Sequence, residues 1–153
     1  CQICESVDVL TKEGRLVTYS GEGMEFSYRH SRLEDSDEIV ISAEFALTPK
    51  PQEEIRALMQ ELMNKRKTSQ PLEYPSAGSA FKRPVGGYAA ALIDNAGLKG
   101  FRIGDAAVSE KHAGFVINLG NATAHDVKEL LKQVALKVKD HAGIELYPEI
   151  RIW

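Results

Sequence analysis

The sequence predicts an α+β fold, and three observations carry the prediction. A glycine turn near the N-terminus separates two β-like runs, two longer stretches repeat their apolar residues at helical spacing, and short strand-like runs fill the intervals. Val7-Asp8-Val9-Leu10-Thr11 and Arg15-Leu16-Val17-Thr18-Tyr19 flank Lys12-Glu13-Gly14, the pattern of a β-hairpin with a glycine-containing turn. Residues 37–47 (DEIVISAEFAL) alternate apolar and polar side chains, which predicts a third strand with one face buried. Between hairpin and strand, Met24-Glu25-Phe26-Ser27-Tyr28-Arg29-His30-Ser31 is polar and aromatic and has no clear period.

A helix is expected from Pro51, because proline suits a first helical turn and Glu53 and Glu54 suit the positive end of the helix dipole. Ile55, Leu58, Met59, Leu62 and Met63 then share one face, where the methionines would fill a core, and Lys65, Arg66 and Lys67 close the helix. Residues 69–78 (SQPLEYPSAG) read as a loop and as the clearest domain boundary. A short buried helix is expected over 88–94, ending near Gly97, with strands over 100–108 and 114–119. Thr123 followed three residues later by Asp126 resembles a capping box, and Val127, Leu130, Leu131, Val134 and Val138 mark a long amphipathic helix that stops around Gly143. Residues 144–152 form a last strand interrupted by Pro148.

Composition narrows the function classes. At 153 residues, 43% hydrophobic and 27% charged, the chain matches a water-soluble globular protein with one ordinary core. No apolar run approaches the ~20 residues that span a bilayer, and no secretory signal opens the chain. A formal net charge of −3 argues against a nucleic-acid footprint. The charge is uneven: residues 1–50 carry a net −5 and residues 51–153 a net +2, so the second part better suits an anionic small molecule. Cys1 and Cys4 form C-x-x-C, but no other cysteine follows to complete a zinc site. A thioredoxin-like pair would open a helix, whereas a strand-like run follows here, so two reduced thiols and no metal are expected.

Three separated stretches carry chemistry. Phe26-Ser27-Tyr28-Arg29-His30-Ser31, Pro75-Ser76-Ala77-Gly78-Ser79-Ala80-Phe81-Lys82-Arg83-Pro84 and Leu146-Tyr147-Pro148-Glu149-Ile150-Arg151 resemble, in order and spacing, the G-Y-R-x-S, G-S-x-F-x-x-P and L-x-P-E-V-R elements of the UDP-N-acetylenolpyruvoylglucosamine reductases. Ser27 stands where that pattern has glycine. Leu92-Ile93-Asp94, Gly97-Leu98-Lys99-Gly100, Arg102-Ile103-Gly104, Lys111 to Phe115 and Ile117-Asn118 also fit, so the resemblance covers essentially the whole chain, in a compact form of the family. Taken singly these residues are ordinary: a turn serine, a surface arginine and an exposed strand acid.

The resemblance implies a flavoenzyme whose FAD is reduced by NADPH and which converts UDP-N-acetylglucosamine enolpyruvate to UDP-N-acetylmuramate, a peptidoglycan precursor, in the bacterial cytoplasm. It implies catalytic roles for Ser79, Arg29 and Glu149, and substrate contacts for Tyr28 and Lys99. It also implies a remnant of a flavin-binding lobe followed by an α+β substrate-binding domain. On this reading residues 1–68 end the second FAD-binding lobe and add a connecting helix, 69–142 form the substrate-binding domain, and 143–153 return to the flavin side. The N-terminal FAD-binding domain of such enzymes would precede Cys1, and no FAD is expected in this fragment alone. The alternative is a free-standing nucleotide-sugar-binding module without catalysis. Neither reading has a nucleic-acid or membrane partner.

Overall fold

The computed structural model describes residues 3–27 and 30–152. The chain divides into two compact units, Cys1–Glu54 and Ile55–Trp153.

In the first unit, β1 (Cys4–Leu10) is the centre of an antiparallel sheet, with β2 (Leu16–Ser20) on one side and β3 (Ile39–Phe45) on the other. Val9 faces Val17 across one pairing and Val40 across the other. The expected hairpin is present, and its turn closes through the Gly14 N–H on the Thr11 carbonyl. Gly14 lies in the left-handed region at φ +76°, which a side chain would strain. After β2 the chain folds back over the sheet, burying Met24 with Cys4, Val7 and Val9, while Val17, Tyr19 and Leu33 pack around them. Gly21 approaches the Cys4 carbonyl so closely that a Cβ would collide with it. Cys4 is a buried free thiol, and Cys1 lies outside the described residues.

β3 departs from expectation in one respect. The strand forms, but all seven of its residues are exposed, so neither of its faces is covered. Alternation tells which side chains share a face; it does not tell whether anything packs on that face.

A helix α1 (Gln52–Ser69) starts at the end of the first unit and runs into the second. Its charged ends fall where the sequence predicts. Its apolar residues do not fill a core, however: Ile55, Leu58, Met59, Leu62 and Met63 are all exposed.

The second unit holds a four-stranded antiparallel sheet in the order β4 (Ser76–Ser79), β7 (Phe115–Asn118), β6 (Ala106–Val108), β5 (Arg102–Ile103), together with α2 (Ala89–Asn95) and α3 (Ala124–Ala142). The sheet and α3 enclose the main core, where Leu130, Leu131, Val134 and Val138 from α3 meet Phe81, Ile93, Ala106 and Val108. The strand expected over 100–108 is in fact a tight hairpin. Gly104 turns it at φ +56°, in a spot where a Cβ would overlap the Asp126 carboxylate. Asp105 then fixes the neighbouring loop by accepting the Leu119 N–H at its carbonyl and the Asn121 N–H at its carboxylate.

α3 begins with the predicted capping box. Thr123 Oγ1 accepts the Asp126 N–H at 3.1 Å, and the Asp126 carboxylate accepts the Thr123 N–H at 2.9 Å. The bond from the Thr123 backbone, and then that from its side chain, hold the Asp126 carboxyl below the ordinary value of 3.8. A depressed carboxyl stabilises the fold above its unfolded value and loses that contribution as pH falls through its folded one. Thr123→Ala removes the side-chain cap and should cost about 1 kcal/mol at neutral pH, the usual loss for an N-cap. The urea-midpoint gap between the parent chain and Asp126→Ala should be complete at neutral pH and close below pH 3.8. A gap that stays constant through that range would rule the cap out as its source.

Candidate active site

Ser79 owes its position to a bulge. On β4, Ser76 faces Ile117 and Ser79 faces Phe115, so three steps along β4 match two along β7. The extra residue bends the strand and re-aims the residues beyond it. Gly78 takes the strain at φ +83°, and Ser76 Oγ accepts its N–H at 3.0 Å. A Cβ on Gly78 would meet open space, so the demand for glycine is purely conformational. Past the bulge the Ala80 N–H rejoins the sheet at the Gly114 carbonyl, 2.8 Å away. Ser79 is left exposed, while Ala80 and Phe81 are buried at 1% and 4% exposure. The glycine before this serine is thus what lets a strand rooted in the core present a hydroxyl to the outside. Gly78→Ala should destabilise the chain by about 1–2 kcal/mol in urea unfolding. An unchanged midpoint would show that the left-handed conformation is not held in solution.

The C-terminal segment reaches the same place. The Lys82 N–H donates to the Tyr147 carbonyl at 2.8 Å, and the Glu149 N–H donates to the Ala80 carbonyl at 2.9 Å. Phe81 and Pro148 face each other between these bonds as an isolated antiparallel bridge. That is a position at which no N–H is required, so Pro148 is accommodated. The strand expected over 144–152 reduces to this one bridge. Leu146 is buried in the core and Ile150 packs against it, so the chain is pinned on both sides of Glu149. Glu145 ties the start of the segment down by accepting from Lys139 and from the Tyr147 hydroxyl. Those two donors, Lys139 first, hold the Glu145 carboxyl below its ordinary value. Half-buried Glu149 is therefore bonded through its backbone to the residue after Ser79.

Two of the three catalytic residues expected from the sequence thus come together in one corner of the second unit. The sequence model of the UDP-N-acetylenolpyruvoylglucosamine reductase C-terminal domain matches residues 70–153, the stretch that builds this corner. The chain belongs to the UDP-N-acetylenolpyruvoylglucosamine reductase family. It is 51% identical over 150 residues to the UDP-N-acetylenolpyruvoylglucosamine reductase of Streptococcus pneumoniae strain CGSP14, covering 98% of this chain and 50% of that protein. The protein of the same name from strain TIGR4 is equally similar, with 48% of its length covered. The chain spans about half the length of the curated relatives it matches. Its fold is similar to the crystal structure of the Thermus caldophilus UDP-N-acetylenolpyruvylglucosamine reductase, with a TM-score of 0.81 and 40% identity over 99% of this chain and 53% of that one.

Three expected residues of this reductase-family chain remain. Tyr28 and Arg29 lie outside the described residues. Lys99 follows a Schellman motif at the end of α2, in which the Gly97 N–H bonds to the Asp94 carbonyl and the Leu98 N–H to the Ile93 carbonyl. Gly97-Leu98 therefore has a structural reason of its own: glycine takes φ +68° and Leu98 enters the core. The Lys99 ammonium is bonded to Asp94 at 2.7 Å, so any anion that Lys99 meets competes with that carboxylate. His112 is structural, with Nδ1 accepting the Gly114 N–H and its ring set edge-on to Phe115. Sequence reasoning missed Ser76, which braces the bulge; the signal was its position two residues before the glycine of Gly78-Ser79.

Proposed function

We propose that this chain is the substrate-side half of an NADPH- and FAD-dependent reductase that converts UDP-N-acetylglucosamine enolpyruvate to UDP-N-acetylmuramate in bacterial peptidoglycan synthesis. The observation that carries the reading is the bulge-presented Ser79 with Glu149 bonded to the residue after it. The exposed apolar residues support it. Ile39, Val40, Ile41 and Phe45 on β3, and Ile55, Leu58, Met59, Leu62 and Met63 on α1, are exposed, and clustered exposed apolar residues mark surfaces that a partner covers. We read the other half of the longer relatives as their cover. Residues 1–68 then close the second flavin lobe, 69–142 form the substrate domain and 143–153 return to the flavin side.

The described residues do not fit a dinucleotide. The chain's one glycine pair, Gly86-Gly87, lies in a largely exposed loop before the seven-residue α2, which is no phosphate cradle. A flavin held by the other half of the longer relatives would supply the hydride for the outer carbon of the enolpyruvyl double bond. The contributions of this chain are electrostatic and acidic. Addition of hydride to an unsaturated carboxylate builds negative charge on the carboxylate and on the carbon beside it, and donors must meet that charge as it develops. Arg29, permanently cationic, forks onto the carboxylate. Glu149, held protonated, donates a hydrogen bond to the same group. Ser79 delivers the proton to the carbon beside the carboxylate; a hydroxyl is a weak acid, but an enolate carbon is a strong base and position compensates. Tyr28 orients substrate, and Lys99 contacts its pyrophosphate in exchange for Asp94. No described helix is long and apolar enough to cross a membrane.

The test is a chimera in which this chain replaces the matching half of the Streptococcus pneumoniae relative. The chimera should bind flavin, oxidise NADPH and reduce the enolpyruvyl substrate, whereas this chain alone should purify without a flavin absorption band. Flavin in the isolated chain, or a flavin-loaded chimera that cannot reduce the substrate, would overturn the proposal. The second outcome would leave a nucleotide-sugar-binding module, checked by binding of UDP-N-acetylglucosamine to the chain.

A further inference from the structure

Glu145 joins two elements that meet just before Glu149. Helix α3 stops at the left-handed Gly143, whose N–H bonds back to the Lys139 carbonyl at 2.8 Å. The Lys139 side chain, in the last turn of α3, reaches past that cap and donates to Glu145 Oε1 at 2.5 Å. The other carboxylate oxygen, Oε2, accepts the Tyr147 hydroxyl at 2.7 Å. That bond holds the Tyr147 hydroxyl above the ordinary phenol value, which keeps it a donor at neutral pH. One carboxylate thus grips the end of α3 with one oxygen and the residue two before Glu149 with the other.

The backbone alone ties this segment down lightly. Pro148 has no N–H to give, and the Phe81–Pro148 pairing is a single bridge flanked by the Lys82–Tyr147 and Glu149–Ala80 bonds. Leu146 and Ile150 hold the core side of the segment. Glu145 and Tyr147 alternate with them and hold the other side through their mutual bond. Glu149 continues that alternation, so a roll of the segment that parts Tyr147 from Glu145 carries Glu149 with it. We infer that Glu145 is a positioning residue, setting through Lys139 and Tyr147 the rotation at which the C-terminal segment presents Glu149. The inference rests on the reading that Glu149 meets the substrate carboxylate. The Lys139 and Glu145 side chains are 55% and 51% exposed, and ion pairs so open to water add little to stability. Loss of the grip should therefore leave the fold standing and tell on orientation.

The experiment uses the flavin-loaded chimera and measures its two half-reactions separately. Glu145→Ala should slow flavin reoxidation by the enolpyruvyl substrate by up to about 10²-fold, the loss that results from a displacement of about 1 Å. Flavin reduction by NADPH should keep its rate. Placed on a Glu149→Ala background, Glu145→Ala should add no further loss, because it acts through the side chain already removed. Tyr147→Phe keeps the ring and the Glu145 charge, removes only the hydroxyl, and should show a smaller loss confined to the same half-reaction. If Glu149→Ala itself leaves reoxidation unchanged, the reading of Glu149 fails and this inference falls with it. If Glu149→Ala slows reoxidation but Glu145→Ala does not, or slows both half-reactions alike, or adds its full loss on the Glu149→Ala background, the inference alone fails. An unchanged reoxidation rate in Tyr147→Phe would also overturn it, whether or not Glu145→Ala folds.

Discussion

Ser79→Ala, introduced into the chimera, should slow reoxidation of reduced flavin by the enolpyruvyl substrate by about 10²–10⁴-fold, the usual contribution of a positioned proton donor. Flavin reduction by NADPH should be unchanged, since no proton from Ser79 is used there. The two rates are read separately by stopped-flow absorbance at the flavin band. Because Ser79 is exposed and its strand is held by the backbone of Ala80 and by the bulge, the substitution removes a hydroxyl without disturbing the fold. Equal losses in both half-reactions would show that Ser79 is not the proton donor.

The second large effect separates the two charge states of Glu149. A protonated carboxyl that donates to the substrate carboxylate can be replaced, in part, by an amide that donates from the same place. Glu149→Gln should therefore retain much of the substrate half-reaction. Glu149→Ala should lose about 10²–10³-fold, the range for deleting one donor to a developing anion. If Gln is as damaging as Ala, the ionised form is the working one and the proposed role is wrong. The backbone bond from Glu149 to Ala80 survives both changes, so the comparison isolates the side chain.

Much of the fold was legible because local chemistry and tertiary packing agree. Thr123 and Asp126 cap α3, its apolar stripe fills the core, and Gly14 turns the first hairpin, all as their sequence patterns predict. The failures have physical causes. β4 is spelled Ser-Ala-Gly-Ser, with no strand propensity of its own; pairing with β7 makes it a strand, so it reads as loop. The run 100–108 hides a reversal, because the glycine before Asp105 is required by the closeness of Asp126, a residue distant in sequence. The apolar faces of β3 and α1 were legible as faces, but their exposure was not, since a pattern cannot report what covers it. At the candidate site, the motifs singled out Ser79 and Glu149. That Glu149 should bond to the residue after Ser79 depends on the Phe81–Pro148 bridge, which no local rule foretells.

The bridge between Phe81 and Pro148 has a consequence for the order in which the molecule is made. The two sides of this corner are 67 residues apart in the chain, so they can meet only once everything between them has been synthesised. Ser79 leaves the ribosome before β7 and before Glu149, so β4 cannot pair until β7 emerges and no Glu149 stands beside it until nearly the whole unit has been synthesised. A nascent or prematurely ended chain thus displays the serine without its carboxyl neighbour. The corner rests on a long-range contact, the kind that as a rule forms more slowly than local helices.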